Sequence, residues 1–197
     1  NEEQGTVSAR HGGRMGNDGS YRVYAKSFQR DASRKRNGAD TFDQWDGFRT
    51  GFRADWTDTF TLQGDAYRTD AEQLRVDYAL TPPYMPVKQQ TIKYEGAHLL
   101  GRWTQLQADN AQFSVQAYID WTKRDEPFNF IDDRITYDLD AQYNLAPYNR
   151  HEFVLGGGFR FLSDDKQGNR NVTFSPQKSR DEFYSFFIQE KITFQPE

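Results

Sequence analysis

The sequence predicts an all-β chain: an antiparallel up-and-down meander of about nine long strands, forming part of a transmembrane β-barrel. Three observations point there. Apolar residues recur at every second position over long stretches, short and long connections alternate, and aromatic residues fall near the predicted strand ends. A strand sends successive side chains to opposite faces, so period-two patterning means two faces of different character.

Composition sets the frame. Of 197 residues, 36% are hydrophobic, 16% aromatic and 27% charged, with a mean hydropathy of −0.97. Disordered chains are poor in aromatics, so this is not a solvated tail. Sheets that show only half their residues to an apolar medium fit these values. There is no Cys, which removes disulfides and thiolate metal sites. A net charge of −4 gives no electrostatic case for nucleic acid. No run approaches the ~18 apolar residues of a membrane helix, and no signal peptide is visible. Alternation runs close to both ends, so residues 1–197 read as one segment of something longer.

The first strand (4–12) leads into the short turn "GRMGNDG". The second (20–29) opens at Tyr21 and ends at the long connection "RDASRKRNGADTFDQ". The third (46–56) and fourth (59–68) flank a tight Thr57-Asp58 turn. In the third, Phe48, Thr50, Phe52, Ala54 and Trp56 oppose Arg49, Gly51, Arg53 and Asp55. The fourth repeats this, with Phe60, Leu62, Gly64 and Ala66 against Thr61, Gln63, Asp65 and Tyr67. A long connection, 69–91, precedes the fifth strand (92–104), which carries Trp103 near the short turn "QLQADNA".

The sixth strand (112–123) alternates most cleanly: Phe113, Val115, Ala117, Ile119 and Trp121 against Ser114, Gln116, Tyr118, Asp120 and Thr122. A medium connection, "RDEPFNFIDD", leads to the seventh (134–145), where Ile135, Tyr137, Leu139, Ala141, Tyr143 and Leu145 form the apolar set. The short "APYNRH" precedes the eighth (152–163), opening at Phe153. The long "DDKQGNRNVTFSPQKSR" precedes the ninth (181–194). There Glu190 falls among Tyr184, Phe186, Ile188, Ile192 and Phe194, which requires either a position near an interface or a register-shifting bulge.

In an up-and-down sheet alternate connections share one end, so the long loops gather at one edge and the tight turns at the other. Outer-membrane barrels sort their connections this way. Strands of roughly 9–11 residues also match a tilted bilayer crossing better than the usual ~5–6 of globular proteins. Phe48, Phe52, Trp56, Phe113, Ile119, Trp121 and Leu139 are therefore the lipid-facing candidates, or core candidates if the sheet is soluble and covered. Arg22, Lys26, Arg49, Arg53 and Arg102 are the candidates for a water-filled lumen, with Asp55, Asp65, Asp120, Asp138 and Asp140 on neighbouring strands to balance them.

The stretches "GTVSARHGGRMGNDGSYRVYAKSFQRD" and "WDGFRTGFRADWTDTFTLQGDAYRTD", with the aromatic strands that follow, resemble the barrel of TonB-dependent outer-membrane receptors just after their plug domain. The resemblance spans nearly the whole chain as a pattern and is most specific in the first 70 residues. It implies roughly strands two to ten of a 22-stranded barrel in a bacterial outer membrane. It further implies periplasmic short turns, extracellular long loops, and a parent receptor that takes up a scarce ligand such as a ferric siderophore, cobalamin or a sugar. Its partners would be outer-membrane lipid, its own plug and the rest of the barrel. Plug, TonB box and terminal barrel strand are not in the sequence, so transport belongs to the parent and not to this segment alone.

No enzyme and no cofactor are expected. His11, His98 and His151 lack metal-ligand spacing, and "LGGGF" at 155–159 opens no helix and is no dinucleotide fingerprint. Asp132-Asp133 and Asp164-Asp165 are weak calcium candidates, "SRKR" (33–36) reads as a solvated loop before an anion contact, and "NVT" at Asn171 is a glycosylation match unsuited to a bacterial setting. Two other functions compete: a soluble β-barrel or sandwich binding a small molecule or carbohydrate, and a passive porin or adhesive barrel.

Overall fold

The computed structural model describes residues 3–57, 59–107, 110–169 and 171–194. It contains nine strands: β1 Glu3–Met15, β2 Gly19–Arg30, β3 Trp45–Trp56, β4 Phe60–Val76, β5 Val87–Leu106, β6 Gln112–Glu126, β7 Phe130–Asn144, β8 His151–Gly168 and β9 Lys178–Ile192. They form one antiparallel sheet in sequence order, open between β1 and β9. No helix occurs among the described residues. Asp58, Ala108, Asp109 and Arg170, which belong to three of the expected connections, lie outside the described residues.

At one end of the sheet the connections are 16–18, 57–59, 107–111 and 145–150. Among the described residues, each holds one in the left-handed region: Gly16 (φ 66°), Thr57 (φ 42°), Asn110 (φ 63°) and Asn149 (φ 55°). A sharp reversal needs positive φ, which Gly and Asn adopt most readily and a β-branched Thr does not. At the other end the connections are 31–44, 77–86, 127–129 and 169–177. The sorting into short and long therefore fails once. The expected medium loop over 124–133 is a three-residue turn, because β6 and β7 stay paired up to Glu126↔Phe130. Ion pairs hold it there: Glu126 accepts from Arg75 (2.6 Å) and Arg124 (2.8 Å), and Asn129 donates to it as well.

β4, β5 and β8 also extend beyond their expected bounds at this end, to Val76, Val87 and Gly168. The β8–β9 register runs unbroken from Asp165↔Lys178 to His151↔Ile192. No bulge displaces Glu190.

The sheet has one layer and almost no core. Among the described residues, only the apolar Ala54, Ile92 and Ala111 are buried. The accessible surface is 14198 Å², whereas a compact 23.0 kDa protein exposes about 9,600 Å². Nothing among the described residues packs across either face. Local close packing exists instead between rings and glycines. Rings of Tyr24, Tyr67 and Phe187 lie so close over Gly51, Gly96 and Gly156 that a Cβ there would sit 2.7, 2.6 and 2.1 Å from them.

Candidate functional site

The cross-strand register assigns every strand residue to a face. Phe48, Phe52, Trp56, Phe113, Ile119, Trp121 and Leu139 all share one face, through ladders such as Phe52↔Gly64↔Leu99↔Ile119↔Tyr137↔Phe161. Arg22, Lys26, Arg49, Arg53 and Arg102 share the other. The apolar face is bare: Phe48 is 51% exposed, Leu139 47% and Phe186 91%.

The apolar residues form a belt across the sheet. It covers nine residues on β3 (48–56), β6 (113–121), β8 (153–161) and β9 (184–192), and seven on β4 (60–66) and β5 (97–103). Eight steps at ~3.4 Å give roughly 27 Å along the strand. The belt does not follow the hydrogen-bond rows. The row through Phe48 reaches β6 at Lys123, β8 at Asp165 and β9 at Lys178. On those strands the belt begins at Trp121, Phe161 and Tyr184, displaced by two, four and six residues. The lower border, starting from Trp56, shifts equally. Over the three, five and six strands crossed, this is about two-thirds of a residue to one residue per strand, which at ~3.4 Å rise and ~4.8 Å spacing inclines the belt by about 25–35° to the rows.

Both borders are chemically marked. Beyond the upper border the same face carries Arg68, Glu95, Lys123, Asp133, Asp165 and Lys178, with ion pairs Arg68–Glu95 (3.4 Å) and Lys178–Asp165 (2.8 Å). Trp121 sits at the transition and donates its indole N–H to Asp133 (2.9 Å). At the lower border, ring pairs Trp56–Phe60 and Trp103–Phe113 lie 5.4 and 5.9 Å apart. Glu190 faces the apolar side near that border. It pairs with His151 at 2.6 Å, whose ring stacks on Phe153. Of the two explanations offered for Glu190, the border position fits the register.

The other face is polar and internally paired. Lys26 stands opposite Arg49, and Arg22 opposite Arg53, like-charge pairs that repel unless acids intervene. Acids do: Arg49 bonds Asp65 at 2.5 Å, and Arg53 bonds Asp55 through Nε and Nη2 at 2.8 Å. Tyr24 and His98 also approach Asp65, at 3.3 and 3.4 Å. Arg160 bonds Asp138 (2.5 Å) and Tyr118 bonds Asp120 (3.0 Å). Arg102 lies opposite Thr61 and Gln116. Of the five cations of the sequence reading, Arg49 and Arg53 are thus paired with acids on the same face.

Of the weak calcium candidates, the Asp164-Asp165 pair is taken up by cations: Asp164 bonds Arg134 at 2.5 Å and lies 3.4 Å from Lys166, and Asp165 pairs with Lys178. In the Asp132-Asp133 pair, Asp133 accepts from the Trp121 indole. No cluster of three or more metal-ligating side chains occurs among the described residues. In the 31–44 loop, Asp43 accepts from Thr41, from the Ser33 amide (2.7 Å) and from the Ser33 hydroxyl (2.9 Å), while Arg34 of "SRKR" lies 3.8 Å from Asp40.

Sequence reasoning missed one feature. On the polar face, β7, β8 and β9 form a grid whose successive rows are Asp138–Arg160–Phe183, Asp140–Gly158–Ser185 and Gln142–Gly156–Phe187. A depression of about 460 Å³ opens over Gly158. Phe183 remains 57% exposed there. The period-two pattern of "FYSFFI" does assign Phe183 and Phe187 to the polar side, but only the register brings them beside the glycines.

Comparison with known proteins adds no likeness to this geometry: no protein-family model, no curated protein and no solved structure matches the chain.

Proposed function

We propose that this chain is a membrane-spanning part of a bacterial outer-membrane β-barrel, belonging to a TonB-dependent receptor that takes up a scarce ligand. The inclined, uncovered apolar belt carries the membrane half of this reading. A barrel strand crosses a bilayer at roughly 35–45°, behind an apolar band ~25 Å tall. A band level with the membrane must then climb across the hydrogen-bond rows, and this one climbs six residues over the six strands from β3 to β9. A soluble sheet has no cause to displace its belt in one direction across the rows.

The receptor half is supported by the resemblance in the first 70 residues. On this reading the 31–44, 77–86 and 169–177 loops face outward, and outer-membrane lipid covers Phe48, Phe52, Trp56, Phe113, Ile119, Trp121 and Leu139. The open β1 and β9 edges pair with further strands, since a bilayer supplies no partner for backbone N–H and C=O groups. β1 and β9 run in the same direction, so antiparallel closure takes an odd number of additional strands. The segment itself performs no catalysis and needs no cofactor.

The test is partitioning. The purified chain is expected to be β-rich by circular dichroism in detergent or lipid and to aggregate in plain buffer. A compact, monomeric, β-rich species without detergent would overturn the membrane reading. Uptake belongs to the plug-bearing parent, and loss of ligand uptake on deleting this region from it tests the receptor half.

A further inference from the structure

We propose that the outward side of the β4–β5 hairpin, beyond the membrane, is the surface through which the barrel pairs with a second copy of itself. The inference rests on the membrane reading above, which holds every copy upright and at the same depth.

β4 and β5 outrun their neighbours. β3 pairs with β4 as far as Trp45↔Ala71 and β6 with β5 as far as Asp125↔Lys93, while β4 and β5 stay paired to Val76↔Val87. Hydrogen bonds from the Asp77 amide to the Pro86 carbonyl and from the Ala79 amide to the Tyr84 carbonyl, each 2.9 Å, continue that register and set Tyr78 opposite Met85. On the polar face this projection is anchored. Arg75 bonds Glu126 at 2.6 Å, Lys88 bonds Asp77 at 2.7 Å, and the Lys88 ammonium lies 5.2 Å from the Phe128 ring centroid.

Its other side is apolar and bare. Leu74, Val76 and Val87 share the face of the belt, Tyr78 and Met85 continue it, and Leu80 stands at the tip. Their exposures run from 38% at Val76 to 98% at Leu80. This patch is separate from the belt, because the rows between them, Arg68–Glu95, Asp70–Lys93 and Glu72–Thr91, carry charge. Ala66, at the upper limit of the belt, is eight residues from Leu74. At ~3.4 Å per residue and a tilt of about 40°, the patch begins roughly 20 Å above the belt. Headgroup regions are only ~5–8 Å deep, so acyl chains do not reach it. A contiguous apolar patch outside the membrane marks a contact with protein.

Area, charge and the belt below all point to a second copy. The patch exposes roughly 600 Å², close to the ~800 Å² per partner of a stable interface. The charged rows beneath it hold both signs, Arg68 and Lys93 with Asp70, Glu72 and Glu95. They complement themselves when a twofold axis along the membrane normal sets the surface against its own image. Within the membrane the same two strands carry a belt of seven residues, against nine on β3, β6, β8 and β9, and small side chains at Gly64, Ala66 and Ala97. A short apolar span is relieved by association, and small residues let two proteins approach closely. Patch, charged rows and short belt lie in one line on one pair of strands.

The chain contains no Cys, so a single introduced one forms a disulfide only with another copy. Met85→Cys and, as a control on another exposed loop, Asn37→Cys are made in the full chain, reconstituted at high dilution in phosphatidylcholine vesicles and oxidised with copper phenanthroline. Met85→Cys is expected to give several-fold more disulfide-linked dimer than Asn37→Cys on a non-reducing gel. Adding Val76→Asp or Tyr78→Asp should each lower that yield about tenfold, since pairing would then bury a carboxylate. Both positions are exposed, and circular dichroism checks that the variants keep the parent β signal.

Equal dimer yields from Met85→Cys and Asn37→Cys overturn the proposal. So does a Met85→Cys yield that both Asp substitutions leave unchanged, the result expected of association through the open β1 and β9 edges. In whole outer membranes, an adduct of Met85→Cys with a protein of different mass, without the homodimer, overturns the choice of occupant. Sedimentation without detergent reports separately on the membrane reading, so a chain that keeps its β signal in vesicles yet forms no dimer sinks this inference alone.

Discussion

The two faces of β3–β8 are built from alternate residues of the same strands, yet they treat their surroundings differently. On the polar face, Arg49–Asp65, Arg53–Asp55 and Arg160–Asp138 satisfy one another within the sheet, and rings close over glycines. On the apolar face, Phe48, Phe52, Ile119 and Leu139 are each more than a third exposed, with no opposing layer. The difference teaches where the fold depends on its medium. One face is complete in water, and the other is complete only when something apolar lies against it.

The largest effect expected from this contrast comes from placing one charge on either side of the same strand pair. Leu139→Arg puts a guanidinium at mid-belt, and in a bilayer it should cost about 2–4 kcal/mol. Gln116→Arg, on the polar face of the adjacent strand, should change stability by less than about 0.5 kcal/mol. Urea unfolding of both variants in lipid vesicles measures the difference. Equal costs would break the distinction between the faces.

Next is the packing that closes the polar face without a core. Gly51→Ala would place a Cβ 2.7 Å from both Tyr24 and Asp65 and 2.9 Å from the Gly64 carbonyl oxygen. Two of those three atoms cannot swing away, so a loss of about 1–3 kcal/mol is expected. Gly156→Ala meets only the Phe187 ring, which stands at an edge and can move, so its loss should be smaller. The pair ranks rigid against yielding contacts by equilibrium unfolding; the reverse order would show that the ring–glycine contacts are incidental.

A comparable loss should follow from breaking the charge balance. The Asp65 side chain is only 10% exposed and serves Arg49, Tyr24 and His98. Asp65→Ala removes the carboxylate that Arg49 bonds and should cost about 1–3 kcal/mol. Combining it with Arg49→Ala should recover part of that, because the uncompensated cation goes too. A double-mutant cycle with no coupling would mean that the pairing contributes nothing to the face.

These contrasts also explain what the sequence did and did not disclose. Nine strands and two faces were legible because alternation is strict within the belt, as in Phe113 to Trp121. Just above the belt the signal vanishes, since both faces are polar there. "TDAEQLRV" continues β4 and "VKQQT" opens β5 with too little apolar alternation to stand out, and both look like loop. "RDEPFNFIDD" fails for the same reason, its strands held by Arg75, Arg124 and Asn129 on Glu126. The position of Glu190 at the belt border, the inclination of the belt and the Gly158 depression all required register, which links residues on different strands and has no signature along one of them.

The smallest prediction carries the comparison into the 31–44 loop, where the self-pairing of the polar face continues outside the sheet. Bonds from the Thr41 hydroxyl, then from the Ser33 amide and hydroxyl, hold the Asp43 carboxyl below its usual pKa of 3.8. A depressed pKa means the folded loop prefers the ionised form. The stabilisation is therefore fully present above 3.8 and is lost as pH falls through the lower folded value. The Ser33 amide should stay protected from hydrogen exchange at pH 5 and 7 relative to Asp43→Ala, and the two proteins should converge as Asp43 protonates. Asp43 is almost fully exposed, so the effect should stay local, leaving the global unfolding midpoint unmoved. A shift of that midpoint with Asp43 would mean that the loop is coupled to the belt, and that the polar side is less self-sufficient than its pairing indicates.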